Sequence, residues 1–101
     1  MTPDDARALA LGLAGAAEQP HHGFPSFRVA GRIFATLPDD EHLHVMLEEN
    51  DIRAAAAEWP AWCEQKWWGK RLAAARITLR DADPAALAEL VEDAWRWKAA
   101  G

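Results

Sequence analysis

Tyrosine is missing from this 101-residue chain, and cysteine occurs once, at Cys63. A lone cysteine excludes an internal disulfide and a CxxC redox or zinc motif, and it suits a reducing, cytoplasmic setting. No apolar run approaches the ~20 residues that a membrane-crossing helix needs. The start, Met1-Thr2-Pro3-Asp4-Asp5-Ala6, lacks the basic and then apolar layout of a secretion signal. Also missing are a G-x-S-x-G elbow, a P-loop, a dinucleotide fingerprint and an H-E-x-x-H helix. No catalytic class has a motif to stand on, so the expectation is a non-enzymatic protein without cofactor or metal. Cations are scarce too: 11 Lys and Arg stand against 16 Asp and Glu, for a net charge of −5. That balance opposes simple attraction to nucleic acid unless the cations are gathered locally.

What is present is a globular composition, 50% hydrophobic and 27% charged, with six tryptophans. The length fits a single domain over residues 1–101. Thr2-Pro3-Asp4-Asp5 is a helix start: a cap, a first-turn proline, and acids at the positive end of the dipole. Ala6, Leu9, Ala10, Leu13 and Ala17 recur at helical spacing, which predicts a helix over residues 3–16. Residues 18–24 read as an edge strand, since Pro20 would break a central ladder. Alternation then predicts strands through Phe27 and Val29, through Ile33, Ala35 and Leu37, and through Leu43, Val45 and Leu47. Ala30-Gly31 supplies a hairpin turn between the first two, and Pro38-Asp39-Asp40 a turn before the third.

Beyond Asn50 or Asp51, either of which can cap, Ile52, Ala55, Ala56 and Trp59 predict a helix that Pro60 ends. Residues 61–70 show no clean period and read as loop or irregular helix. Ala75, Ile77 and Leu79 alternate with Arg76 and Thr78, predicting another strand over residues 72–80. Asp83-Pro84 opens a last helix to about Lys98, with Leu87, Leu90, Val91, Ala94 and Trp97 on one face. The fold class is therefore α+β: an antiparallel meander packed on one face by N-terminal, middle and C-terminal helices.

Strand parity then divides the sheet. If Phe27, Val29, Ile33, Ala35, Leu37, Leu43, Val45, Leu47, Ala75, Ile77 and Leu79 face the helices, the other face carries Ser26, Arg28, Arg32, Phe34, Thr36, His42, His44, Met46, Arg76, Thr78 and Arg80. That face has four arginines, two histidines and no acid. A second cationic run lies at residues 63–80, with local charge +4, and holds Lys66, Lys70, Arg71 and the pair Trp67-Trp68. Residues 39–58 carry −6, so the chain is electrically polarised. His42 and His44 share a face, but no fourth ligand is evident for a zinc site with His21 or His22. Cys63 has no adjacent base in sequence to make it a nucleophile.

Several segments are similar to those of the MmcQ/YjbR-like family of small bacterial domains. They are His21-His22-Gly23-Phe24-Pro25-Ser26-Phe27-Arg28-Val29, Gly31-Arg32-Ile33-Phe34-Ala35-Thr36-Leu37, Trp67-Trp68-Gly69-Lys70, Arg76-Ile77-Thr78-Leu79, and Asp83-Pro84 with the helix through Trp95. The matches cover nearly the whole chain in the family's order. The resemblance implies an α+β sheet with protruding hairpins, a double wing, and binding to DNA. Met46 stands where many members carry a lysine on the third meander strand.

Residues and resemblance together give a non-catalytic nucleic-acid-binding expectation. Arg28, Arg32, Lys66, Lys70, Arg71 and Arg76 would neutralise phosphates, and Phe34 or Trp68 would stack on bases. The alternative is a protein- or small-ligand-binding module, motivated by the net acidity, by Met46, and by a tryptophan-rich loop able to line a pocket.

Overall fold

The structure, a computed structural model, describes residues 1–101. Helix α1 (Pro3–Leu11) begins as its sequence dictates. The Thr2 hydroxyl accepts from the Asp5 amide, and the Asp5 carboxylate accepts from the Thr2 amide, so two orphan donors of the first turn are satisfied. The helix stops at Gly12, short of the predicted residue 16. Gly15 takes φ +72°, which turns the chain toward the sheet. The indole of Trp95 donates to the Ala14 carbonyl at 2.8 Å and fixes that turn.

Four strands follow: β1 (Ala17–His21), β2 (Phe24–Val29), β3 (Arg32–Thr36) and β4 (His42–Val45). The predicted strand over residues 18–24 is interrupted, because His22 and Gly23 both take positive φ, 52° and 86°. Ala30 and Gly31 do the same at 52° and 77°. Both are two-residue hairpin turns whose twist matches that of the strands they join. Helix α2 (Glu49–Glu58) is capped by the backbone of Glu48, without a side-chain bond, rather than by Asn50 or Asp51. Trp59 and Trp62 then stack, with ring centroids 5.3 Å apart, around the break at Pro60.

Most of residues 61–70 is strand, not loop or irregular helix. Cys63–Trp68 forms β5, joined through Gly69-Lys70 to β6 (Arg71–Thr78). Sequence reading missed β5 because it is an edge strand, exposed at most positions and so without a two-residue hydrophobic alternation. The six strands are antiparallel neighbours in the order β1-β2-β3-β4-β6-β5. A 3-10 turn (Leu79–Asp81) leads to α3 (Pro84–Ala100), where the Asp83 carboxylate accepts from the Ala86 amide at 2.9 Å.

The core is one cluster between the sheet and the three helices, and includes Phe27, Phe34, Val45, Ile52, Ile77 and Leu87. Two neighbouring face assignments are reversed, those of Ile33 and Phe34. Phe27 pairs with Ala35 but Arg28 pairs with Ile33, so β3 carries an extra residue there, a β-bulge. Phe34 is the residue absorbed. It is 0% exposed in the core and cannot stack on a base, while Ile33 turns to the opposite face. The bulge costs no hydrogen bond at that carbonyl, because Phe34 accepts from the Met46 amide at 2.9 Å.

The bulge predicts unequal costs for two adjacent truncations. Phe34→Ala should lose about 3–5 kcal/mol of unfolding free energy, as large core deletions do. Ile33→Ala, half-buried, should lose less than about half as much. Urea denaturation of both variants measures this, and equal losses would contradict the reset of the alternation.

Candidate functional site

The face away from the helices is concave. A cleft of about 630 Å³ opens there, lined by His21, Phe24, Arg28, Gly31, Arg32, Ile33, Thr36, Pro38, His44, Met46, Lys66, Trp68, Arg71 and Lys98. The tips of two hairpins form its walls. Gly31 and Arg32 come from the β2–β3 turn, and Trp68 and Arg71 flank the β5–β6 turn. No acidic residue lines the cleft, in a chain of net charge −5.

Its cations are free. Arg7, Arg76, Arg80 and Arg96 each lie within 4.0 Å of a carboxylate, whereas Arg28, Arg32, Lys66, Arg71 and Lys98 have no such partner. Arg32 Nη1 donates to the Lys98 carbonyl at 3.2 Å, which anchors it to the last turn of α3, where a cation also meets the negative end of the helix dipole. Lys98 Nζ sits 4.1 Å over the Trp97 ring. Burial, with Arg71 and Arg32 close by, holds the Lys98 ammonium below its ordinary pKa. Like charges gathered without a counter-charge repel one another, and an anion would relieve that repulsion.

Of the expected site residues, Arg28, Arg32, Lys66, Arg71 and Trp68 line this cleft, and Trp68 is half exposed. Lys70 occupies the tip of the β5–β6 turn, outside the lining. Arg76 lies beneath, paired across strands with His44. Its Nε is buried and unbonded, 3.6 Å from a Glu64 carboxylate oxygen and so beyond hydrogen-bond length. Phe34 is in the core. Lys98 escaped sequence reading, which takes it only as the end of the last helix. It reaches the cleft from the far end of the chain, and no local pattern announces that. Phe24 and His21, ring centroids 5.8 Å apart, add an aromatic edge on either side of the His22-Gly23 turn, which the expected strand over residues 18–24 runs through.

The histidines divide their roles. His42 Nδ1 lies 3.0 Å from Asp39 and serves the turn before β4. His44 lies in the cleft, and burial together with the nearby Arg76 and Lys66 pushes its pKa down to about 4. No group of three or more His, Cys, Asp or Glu side chains is placed to hold a metal ion. Burial pushes the Cys63 thiol up to about 11, so at neutral pH it is a protonated core side chain rather than a nucleophile. No helix is long and apolar enough to cross a membrane.

A family model, YjbR, matches residues 11–97. No curated protein matches the chain. No solved structure matches it either.

His44 gives the fold a defined acid sensitivity. Its folded pKa lies near 4, against 6.5 in the unfolded chain, so the unfolded state takes up the proton first as pH falls. Its contribution is intact above pH 6.5 and is lost progressively between 6.5 and 4. The loss should reach about 2–3 kcal/mol. His44→Gln should flatten the dependence of unfolding free energy on pH in that window, as measured by denaturant titrations at stepped pH. A slope identical to wild type would refute the assignment.

Proposed function

The chain belongs to the YjbR family, and on that footing we propose that it is a non-catalytic nucleic-acid-binding domain whose contact surface is the acid-free cleft. The observation that carries this reading is the set of five cations around the cleft that no carboxylate neutralises. Elsewhere the protein is acidic, so its positive field concentrates at one concave place, where low-dielectric walls focus it. Phosphates recognise such a surface through counterion release. The two hairpin tips act as wings on either side, and DNA is the family's expected ligand.

The shape favours an unpaired strand over a duplex. A duplex keeps its bases stacked inside and offers phosphates on a convex surface. A strand with free bases can lay its backbone across Arg28, Lys66 and Arg71 and rest a base against Trp68. No acid/base pair or activated nucleophile accompanies the cations, which is why the reading is binding without chemistry. A cytoplasmic setting, where nucleic acid and free thiols coexist, belongs to the same reading.

One observation favours a second reading. A cleft of about 630 Å³ is the size of a small-molecule site, so a free anionic metabolite would fit as well.

Fluorescence anisotropy with single-stranded DNA, RNA and duplex DNA at low salt separates these readings. Binding should fall steeply with salt, and single strands should bind more tightly than duplex. Lys66→Ala and Arg71→Ala should each flatten the slope of log K against log salt by about 0.7. Arg80→Ala, on an exposed side chain 3.8 Å from Asp81 and outside the cleft, should leave the slope unchanged. No binding at tens of micromolar would remove the nucleic-acid reading and leave the small-anion one.

A further inference from the structure

The depth of the cleft is chemically unlike its rim. Ser26, Thr36 and His44 stand side by side across β2, β3 and β4, through the pairings Ser26↔Thr36 and Thr36↔His44. Their exposures are 0%, 3% and 7%. Ser26 is satisfied: its Oγ donates to the Gln19 carbonyl at 2.7 Å and accepts from Arg28 Nε at 3.3 Å. The next two side chains are not. The Thr36 hydroxyl and the His44 imidazole bond to no protein group, and His44 Nε2 is buried without a partner. Both residues line the cleft. Unpaired polar groups in a folded interior cost stability. A buried, unpartnered His44 nitrogen beside a Thr36 hydroxyl that no protein group engages, at the floor of a cleft, marks a place where a ligand supplies the missing partners.

The chemistry of that ligand follows from charge. The hydroxyl is neutral. The imidazole is held neutral by burial and by Arg76 and Lys66, which outweigh the pull of Asp39, while His42 adds to the depression. The free cations stand at the rim. An anionic group therefore stays at the rim, and what reaches the floor is an uncharged edge that both donates and accepts hydrogen bonds. A neutral imidazole and a hydroxyl each offer both roles. Ile33, Met46 and the half-exposed Trp68 also line the cleft, apolar surface suited to a flat group.

We propose that the cleft takes up one unpaired nucleotide, with its phosphate among Arg28, Lys66 and Arg71 and the edge of its base turned to Thr36 and His44. This rests on the nucleic-acid reading above and adds that the domain reads a base as well as a backbone.

Two strands of equal length and charge test it, one carrying bases and one abasic. The wild-type protein should bind the base-bearing strand at least about 10-fold more tightly. The salt slopes for the two strands should be equal, since phosphate contacts set them. His44→Gln and Thr36→Val should each narrow that preference by up to about 10-fold without changing the salt slope. In wild-type protein, deoxyadenosine monophosphate should shift the His44 imidazole resonances while those of His42 stay in place. Equal affinity for the two strands would overturn base reading and leave phosphate binding standing. Failure of both strands to bind would overturn both. Tighter binding of benzoate than of the nucleotide would transfer the cleft to small aromatic carboxylates and overturn the proposal.

Discussion

Two consecutive side chains of β3, Phe34 and Ala35, enter the same core, and most of the molecule's division of labour depends on that. A regular strand would send one of them outward. The bulge opposite Phe27 and Arg28 allows both inward and lets Thr36 regain the outer face beside Ser26 and His44. Without it, Phe34 would point to the outer face where the cleft now lies, and the core would lose one of its largest fully buried side chains. One inserted residue thus provides both a larger core and an emptier outer face. The Met46 amide removes the usual cost of an insertion by bonding the Phe34 carbonyl.

The second organising term is electrostatic. Pairing is used where it is cheap, on exposed surfaces: Arg96 with Glu92 and Asp93 along α3, and Arg7 of α1 with Asp4 and Glu18. Such pairs add little stability. Cations are left unpaired where pairing would fill the cleft. A chain with more acids than bases had carboxylates available, and the fold keeps them away from this surface. Residues 39–58, the most acidic stretch, run through the turn before β4, β4 itself and α2, and none of their carboxylates lines the cleft.

The general architecture was legible in the sequence because it rests on local rules. Alternation marked β2, β4 and β6. Capping marked both ends of the chain, at Thr2 with Asp5 and at Asp83 with Pro84. What local rules could not reach was of two kinds. The bulge at Phe34 is a tertiary compromise: an alternating pattern continues straight through it, and only the demand of the core reverses two side chains. The cleft is the product of topology. Lys98, Lys66 and Arg28 lie in separate parts of the sequence, and Thr36 and His44 look like ordinary outward polar residues until the walls rise around them. β5 went unseen because an edge strand is wet on most sides. The turn at His22-Gly23 did carry a signal, a glycine preceded by a residue that tolerates positive φ, but residues 18–24 read as one edge strand around Pro20.

The insertion of β6 between β4 and β5 has a kinetic consequence. The β1–β2–β3 meander closes through two-residue turns, and β5–β6 is another local hairpin. The β4–β6 seam joins residues some 30 positions apart, so loop entropy delays it. The cleft exists only after that seam has closed, with α3 then bringing Lys98 to its rim. A ligand held there touches both hairpins and the end of the chain at once. It therefore binds only molecules in which the long-range contacts have formed, and by mass action it shifts the whole chain, rather than one loop, toward the assembled state.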